Sequence, residues 1–591
     1  MTFHDPTSNA DLSQGQIKHI DFRIRADFAA RVLDVEATYQ LSGPVSGSFY
    51  LDTFKLDIQA AHANGRALEW DMGGHDENLG SRLTLSGLQN DSTFTLAWRT
   101  SPDATALQWT DPAQTAGGKH PFLFSQCQAI HARSVFPCQD TPSVRFTYSA
   151  EVEVPRGLTA VMAAEQLGGQ GRGATFVFKF KMPQPIPSYL FAIGVGNLEF
   201  RAMGARTGIY AEPETIEAAA WEFAENEKRM IEAEKLLGPY LWGRYDLLVL
   251  PPSFPFGGME NPRLTFVTPT AIVGTRGQTN LITHELAHAW TGNLITNATW
   301  ADFWLNEGWT TYAEMRITEI LEGADFRDLV FVYHLNEILD AMQNRLGMDA
   351  PQTRLKRTDD ASDDGSGSFS IPYYKGSSFL LECERAVGRE KFDAFIHKYT
   401  AKYQFQSLTT EAFLDFFKAE LPEVFEKVDV QEWIYGPGMP SSWKMPESKL
   451  YNDIQVVLKE YEQGKRPDKE RVQNWLSDQV LGFLQGLPKQ ISVEECKYFE
   501  DVLDLVKRND SHCYSLFYSI CIASGYEAIW PRVEAYAEKI GRMLYVLPVI
   551  RAIASTEWSR GRARALVERV KGKHHPVTAS TMERMLAGAG L

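Results

Sequence analysis

The chain is short of cysteine, short of basic charge and without a long apolar run, and each shortage removes a class of protein. Six cysteines in 591 residues, with no C-x-x-C pair, exclude a disulfide-stapled scaffold. Cys127, Cys138, Cys383, Cys496, Cys513 and Cys521 read as reduced thiols of a cytoplasmic protein. No window offers the roughly 18 uninterrupted apolar residues of a membrane span. The first residues, MTFHDPTSNADLSQGQ, have neither a basic n-region nor an apolar h-region, so no secretory signal is expected. Lys and Arg number 59 against 75 Asp and Glu, a formal charge of −16 that disfavours nucleic acid and anionic membranes as partners. The one basic stretch, Arg560, Arg562, Arg564, Arg569, Lys571 and Lys573, lacks interleaved aromatics and reads as a solvated helix face. Nothing demands more than a monomer.

What remains is a globular composition, 44% hydrophobic and 23% charged, in a chain long enough for about three to four domains. Up to about residue 200 apolar and polar positions alternate at period two, as in Phe146-Thr-Tyr148 and Phe176-Val-Phe178-Lys-Phe180, which predicts β-sheet. A helix is expected over 216–237, ended by Gly238-Pro239, followed by strands at 247–250 and 264–267. The stretch 436–446, rich in Gly and Pro, reads as a linker. Beyond it Val472, Trp475, Leu476, Val480, Phe483 and Leu484 recur at helical spacing. The expected architecture is therefore multidomain α+β: a β-rich domain over 1–200, an α+β domain over 201–440 and an all-α domain over 450–591.

The most informative residues are His284, Glu285 and His288 in THELAHAW, with Glu307 in WLNEGWTTY. Residues four apart share a helix face, so the two histidines can present imidazole nitrogens to one metal ion. Glu307 can add the third ligand from a second helix. The fourth tetrahedral position stays open, as in a catalytic zinc site, and Glu285 is left free to act on a water there. With 13 His and 75 acidic residues in 591, chance supplies about 0.04 such H-[DE]-x-x-H matches per chain. Glu314, two helical turns beyond Glu307, is a candidate acceptor from a ligand histidine's other nitrogen. Upstream, Gly257-Gly258-Met259-Glu260-Asn261 combines glycines that permit close backbone approach with a carboxylate that could hold a substrate cation.

GGMEN, HELAHAWTGNLIT and WLNEGWTTY together resemble the M1 family of zinc aminopeptidases. FSQCQAIHARSVFPCQDTPS, PYYKG and HPVTA are similar to its leukotriene A4 hydrolase branch, so the resemblance spans essentially the whole chain. It implies a β-rich N-terminal domain, a thermolysin-like catalytic domain and a C-terminal domain of stacked helices, one zinc ion per chain, and short peptides with a free N-terminus as substrates. It also implies roles. Zinc is bound by His284, His288 and Glu307, and Glu285 is the base. Tyr373 stabilises charge on the scissile carbonyl. Glu260, with Gly257, Gly258 and Met259, meets the α-ammonium group, assisted by Gln128. Arg542 takes the peptide's C-terminal carboxylate. Tyr374 stands where the family has an acidic residue, so the two adjacent tyrosines leave the register open by one. Leu544 replaces a family lysine beside Arg542.

Members of that branch also open a lipid epoxide, using a tyrosine and an aspartate upstream of the catalytic tyrosine. Here Ser368 occupies the tyrosine's position, Asp364 stands in for the aspartate, and the segment is one residue longer. A lipid epoxide hydrolase with peptidase side activity is the alternative enzyme, and a catalytically silent peptide-binding homologue is the alternative from another class. The retained ligands, base, tyrosine and glutamate argue against the latter.

Overall fold

The computed structural model describes residues 5–357 and 368–591. Asp363 and Asp364, and the side chain of Ser368, lie outside the described residues. The N-terminal part is built on long strands: β1 (Ile17–Asp27), β2 (Val32–Thr53), β3 (Ser81–Arg99), β4 (Arg145–Pro155) and β5 (Thr175–Pro187). They form the middle of a nine-stranded sheet in the order β5-β4-β1-β2-β3, with β1 and β4 parallel and the other neighbours antiparallel. The period of two works here as a register device. Ile20 pairs with Tyr39 and Phe22 with Ala37, and all four side chains are buried on one face. On that face Phe22 meets Phe136 and Phe191 at ring distances of 5.3 and 5.4 Å.

A second sheet runs β6 (Glu199–Ala202), β7 (Thr207–Ala211), β8 (Tyr245–Val249), then β10 (Leu264–Val267), with the two-residue strand β9 (Gly258–Met259) at its edge. Strands β7, β8 and β10 are parallel, and β9 is antiparallel to β10, pairing Gly258 with Val267 and Met259 with Phe266. This edge carries the GGMEN segment. The helix expected over 216–237 is two helices, Ile216–Glu222 and Asn226–Leu237. At the break the Glu222 carboxylate turns to accept the backbone N–H of Gly274. Three helices follow that matter for the site: α1 (Thr279–Ala287), α2 (Trp304–Glu322) and α3 (Ile371–Val387). α2 and α3 cross at Gly308 and Gly376. A β-carbon on Gly308 would lie 2.9 Å from the Gly376 Cα, so only glycine lets the helix bearing Tyr373 approach the helix bearing Glu307 this closely.

From Lys449 to Gly588 the chain is helical. α4 (Ser477–Gly486), α5 (Ser511–Ala523) and α6 (Met543–Ser555) form the face turned toward α1 and α3, around a core that includes Val480, Phe483, Phe517 and Val546. Of the apolar positions expected at helical spacing, Leu476 is the exception, 43% exposed. Lys469–Val472 is a separate short helix and α4 starts only at Ser477, so Leu476 sits between helices and the period does not reach it. Half of the basic stretch is salt-bridged, Arg569 with Glu534 at 2.8 Å, Lys571 with Glu583 at 2.9 Å and Lys573 with Glu538, while Arg562 lies over the Trp530 ring, 5.0 Å from its centroid. All six cysteines are free and buried. Among the described residues no helix is long and apolar enough to cross a membrane.

Candidate active site

The site assembles from the C-terminal end of α1, the first turns of α2, the start of α3 and the sheet edge β9. His284 and Glu285 lie in the last turn of α1 and His288 caps it. Hydrogen-bond partners decide the histidine tautomers. The Nδ1–H of His284 donates to Oε2 of Glu314 at 3.0 Å, and that of His288 to the carbonyl of Thr291 at 3.0 Å. The Thr310 hydroxyl, which donates to the same carbonyl at 2.7 Å, braces that arrangement. Both Nε2 atoms therefore keep their lone pairs. They lie 3.1 Å apart, each 3.3 Å from Glu307 Oε2, an oxygen with no well-formed hydrogen bond among the described residues.

Three buried ligand atoms converging in this way need positive charge between them, supplied by a metal ion or, in its place, by protons on the imidazoles. The N₂O donor set suits zinc, and Glu314 behind His284 supplies the outer support such sites use. The electrostatics agree. Burial works against a charged Glu307, yet His288 and His284 outweigh it and hold the carboxyl at about 2. Burial also opposes a charged His284, but Glu307 and Glu314 raise its pKa well above the usual imidazole value. The pocket is thus negative enough to attract a positive centre.

Glu285 is 6% exposed, and burial lifts its pKa to about 7 against the pull of the two histidines. Its carboxylate packs against Gly258, where a β-carbon would fall 2.4 Å from the Glu285 carboxyl carbon. Expected to let a ligand approach, this glycine makes room for Glu285. Likewise Gly257 lies against the Arg542 guanidinium. Glu260, 4% exposed, accepts from Gln128 Nε2 at 3.3 Å, and its backbone carbonyl accepts from Asn293 Nδ2 at 2.7 Å. Ligand atoms of Glu260, Glu285 and His288 lie within 4.8 Å of one another. Met259 is not brought to the cavity; its side chain is buried, and its sulfur accepts from Gln126 Nε2 at 3.1 Å.

The two tyrosines separate cleanly. The ring of Tyr373 stacks on His284, centroids 5.7 Å apart and 15° from parallel, whereas Tyr374 stacks on His334 at 4.7 Å. Burial, then the charges of Glu307 and Glu260, push the Tyr373 phenol well above its ordinary pKa, so it keeps its proton to donate. His284, Glu285, His288, Glu307, Glu260 and Tyr373 open into a cavity of about 220 Å³ that continues to Arg542 and Tyr545 of the helical domain. Arg542 donates from Nη1 to the Tyr545 hydroxyl at 2.6 Å. A larger cavity of about 690 Å³ lies where the three parts meet, lined by Gln114, Glu212 and Lys539, so volume alone would select the wrong site.

Sequence reasoning missed Thr291, Thr310 and Asn293, and did not place Asp478, which lines the cavity from the start of α4. Thr310 carried a faint signal, one turn after Glu307 on the same helix. Asn293 reaches Glu260 through the turn after α1, and Asp478 is nearly two hundred positions away from the metal motif.

This fold and this donor set define a class, the zinc metallopeptidases with an added helical domain. Family models match in the same order: the peptidase M1 N-terminal domain over residues 20–190, the peptidase family M1 domain over 221–433, and the leukotriene A4 hydrolase C-terminal domain over 475–586. Leukotriene A-4 hydrolase of Xenopus laevis is 37% identical over 97% of this chain and 98% of its own length. Leucine aminopeptidase 2 of Neosartorya fischeri is 34% identical over 99% and 98%. The structure of yeast LTA4 hydrolase in complex with bestatin superposes with a TM-score of 0.88 at 29% identity, covering 99% of this chain and 97% of that one. The chain belongs to peptidase family M1, the zinc aminopeptidases, in its leukotriene A4 hydrolase-like branch.

Proposed function

We propose that the protein removes the N-terminal residue from short peptides, and that the residues converging on the cavity carry the roles described below. The observation that carries this reading is the buried Glu260 carboxylate. It faces Glu285 with no basic side chain bonded to it among the described residues, so a substrate's α-ammonium is the cation it lacks. A carboxylate held at one end of the cavity admits a free chain terminus and rejects a continuous chain.

Zinc held by His284, His288 and Glu307 would supply Lewis acidity and lower the pKa of a water. Glu285 accepts the attacking water's proton and delivers it to the leaving amine. Tyr373 donates a hydrogen bond to the scissile carbonyl oxygen as charge develops there. Gln128 steadies Glu260 and meets the substrate's amino end, Glu314 fixes the tautomer of His284, and Arg542 takes the peptide's C-terminal carboxylate. The relatives' names divide between leukotriene A-4 hydrolase and leucine aminopeptidase. With Ser368 at the tyrosine position, nothing favours lipid epoxide hydrolysis here. The remaining parts of the proposal are a cytoplasmic monomer with no nucleic-acid or membrane partner, divided at 1–200, 201–440 and 450–591.

A panel of aminoacyl anilides tests the reading. Chromophore release should stop with a chelator, return with zinc, and vanish when the amino group is acetylated. Failure on every unblocked anilide would sink it, and indifference to acetylation would remove the role of Glu260.

A further inference from the structure

Arg542 and Asp478 of the helical domain line the same cavity as Glu260, and among the described residues they form no ion pair with each other. Arg542, 9% exposed, is flattened over the Tyr545 ring with its Cζ 4.2 Å from the centroid. Its Nη1 is used by the Tyr545 hydroxyl, while its buried Nε has no hydrogen-bond partner among the described residues. Asp478, at the start of α4, lines the same cavity and, among the described residues, forms no ion pair or hydrogen bond with any other side chain. Behind it is Asp510, 2% exposed. One of its oxygens caps α5 through the N–H groups of His512 and Cys513, and the other, Oδ2, is buried without a partner. Burial and the charge of Asp510 lift Asp478 to about 7, with His334 opposing. Buried or half-buried charges left unpaired by the fold are costly unless a ligand completes them. His512 does not complete them: its Nε2 is engaged with the Tyr333 hydroxyl at 3.0 Å, and burial holds it neutral, its pKa lowered to about 4.

Resting on the aminopeptidase reading above, we propose that this end of the cavity selects peptides ending in lysine or arginine, with Arg542 taking the α-carboxylate and Asp478 the side-chain cation. One terminal basic residue carries both groups. The sense of the chain is consistent, because the amino end is held at Glu260 in the catalytic domain and the C-terminal end then points toward the helical domain.

The test compares Leu-Ala-Lys, Leu-Ala-Ala and Leu-Ala-Glu as substrates of the wild type and of Asp478→Asn. The wild type should rank them Lys over Ala over Glu, with roughly tenfold in kcat/KM between Lys and Ala, as a charge-assisted hydrogen bond implies. In the variant the Lys preference should collapse and cleavage of Leu-Ala-Glu should rise. That gain cannot come from misfolding. A wild type indifferent to the third residue, or a variant that keeps the Lys preference, would overturn the proposal. So would a variant whose discrimination shifts between lysyl and alanyl anilides, since Asp478 would then read the first residue. Leucine anilide hydrolysis by the wild type tests the aminopeptidase reading separately.

Discussion

The two ends of one cavity are built on opposite principles. At the metal end three residues have a second partner that fixes them: Glu314 behind His284, Thr291 and Thr310 behind His288, and Gln128 on the Glu260 carboxylate with Asn293 on its backbone carbonyl. At the helical-domain end Arg542 and Asp478 are supported by packing but keep unspent hydrogen-bonding capacity. Chemistry tolerates little misplacement, so the atoms that perform it are held by a surrounding shell. Recognition of a variable chain end needs charge in the right region, and there the substrate itself provides the missing partner.

The comparison can be broken most forcefully at the metal end. Glu285→Gln should lower kcat about a thousandfold, within the range for losing a general base, while zinc content measured by atomic emission stays at one per chain. A variant within tenfold of wild type would mean the base lies elsewhere. Glu260→Ala should cost about a hundredfold in kcat/KM for free-amine anilides, because a buried charge partner is lost, and the gap between free and acetylated substrates should shrink accordingly. Glu314→Ala touches the metal only through His284. Its expected effect is about thirtyfold weaker zinc binding in a chelator competition, and unchanged affinity would make Glu314 an ordinary helix carboxylate. The far end should respond most mildly. Arg542→Ala should erase a preference of about tenfold for a tripeptide acid over its C-terminal amide. If wild type shows no such preference, the two ends do not share one substrate.

Much of the metal end was legible because its geometry is local. Four-residue spacing places His284 and His288 on one helix face whatever the rest of the chain does, and seven-residue spacing does the same for Glu307 and Glu314. The β-rich first third was legible for a similar reason, since period two is enforced residue by residue on a sheet with one buried face. Tyr373 was half legible: sequence named a tyrosine pair, and only the stacking of one ring on His284 and the other on His334 separates them. The helix over 216–237 was read as continuous because its apolar spacing carries through the break at Phe223. Met259 was grouped with its neighbours in GGMEN, yet strand alternation turns it to the opposite face from Gly258 and Glu260.

By itself, then, the sequence determined a zinc-dependent hydrolase of a recognisable family and the order of its domains, and it named the candidates for ligands and base. Those properties rest on short-range periodicity and on motifs whose residues lie close along the chain. Tertiary structure alone decided which backbone groups brace His288, why Gly258 and Gly308 must be glycine, and that Asp478 and Arg542, without an ion-pair partner among the described residues, share a cavity with Glu260. These are contacts between segments up to hundreds of residues apart, and no local spacing rule encodes which distant side chain will fill, or leave open, the space beside a given charge.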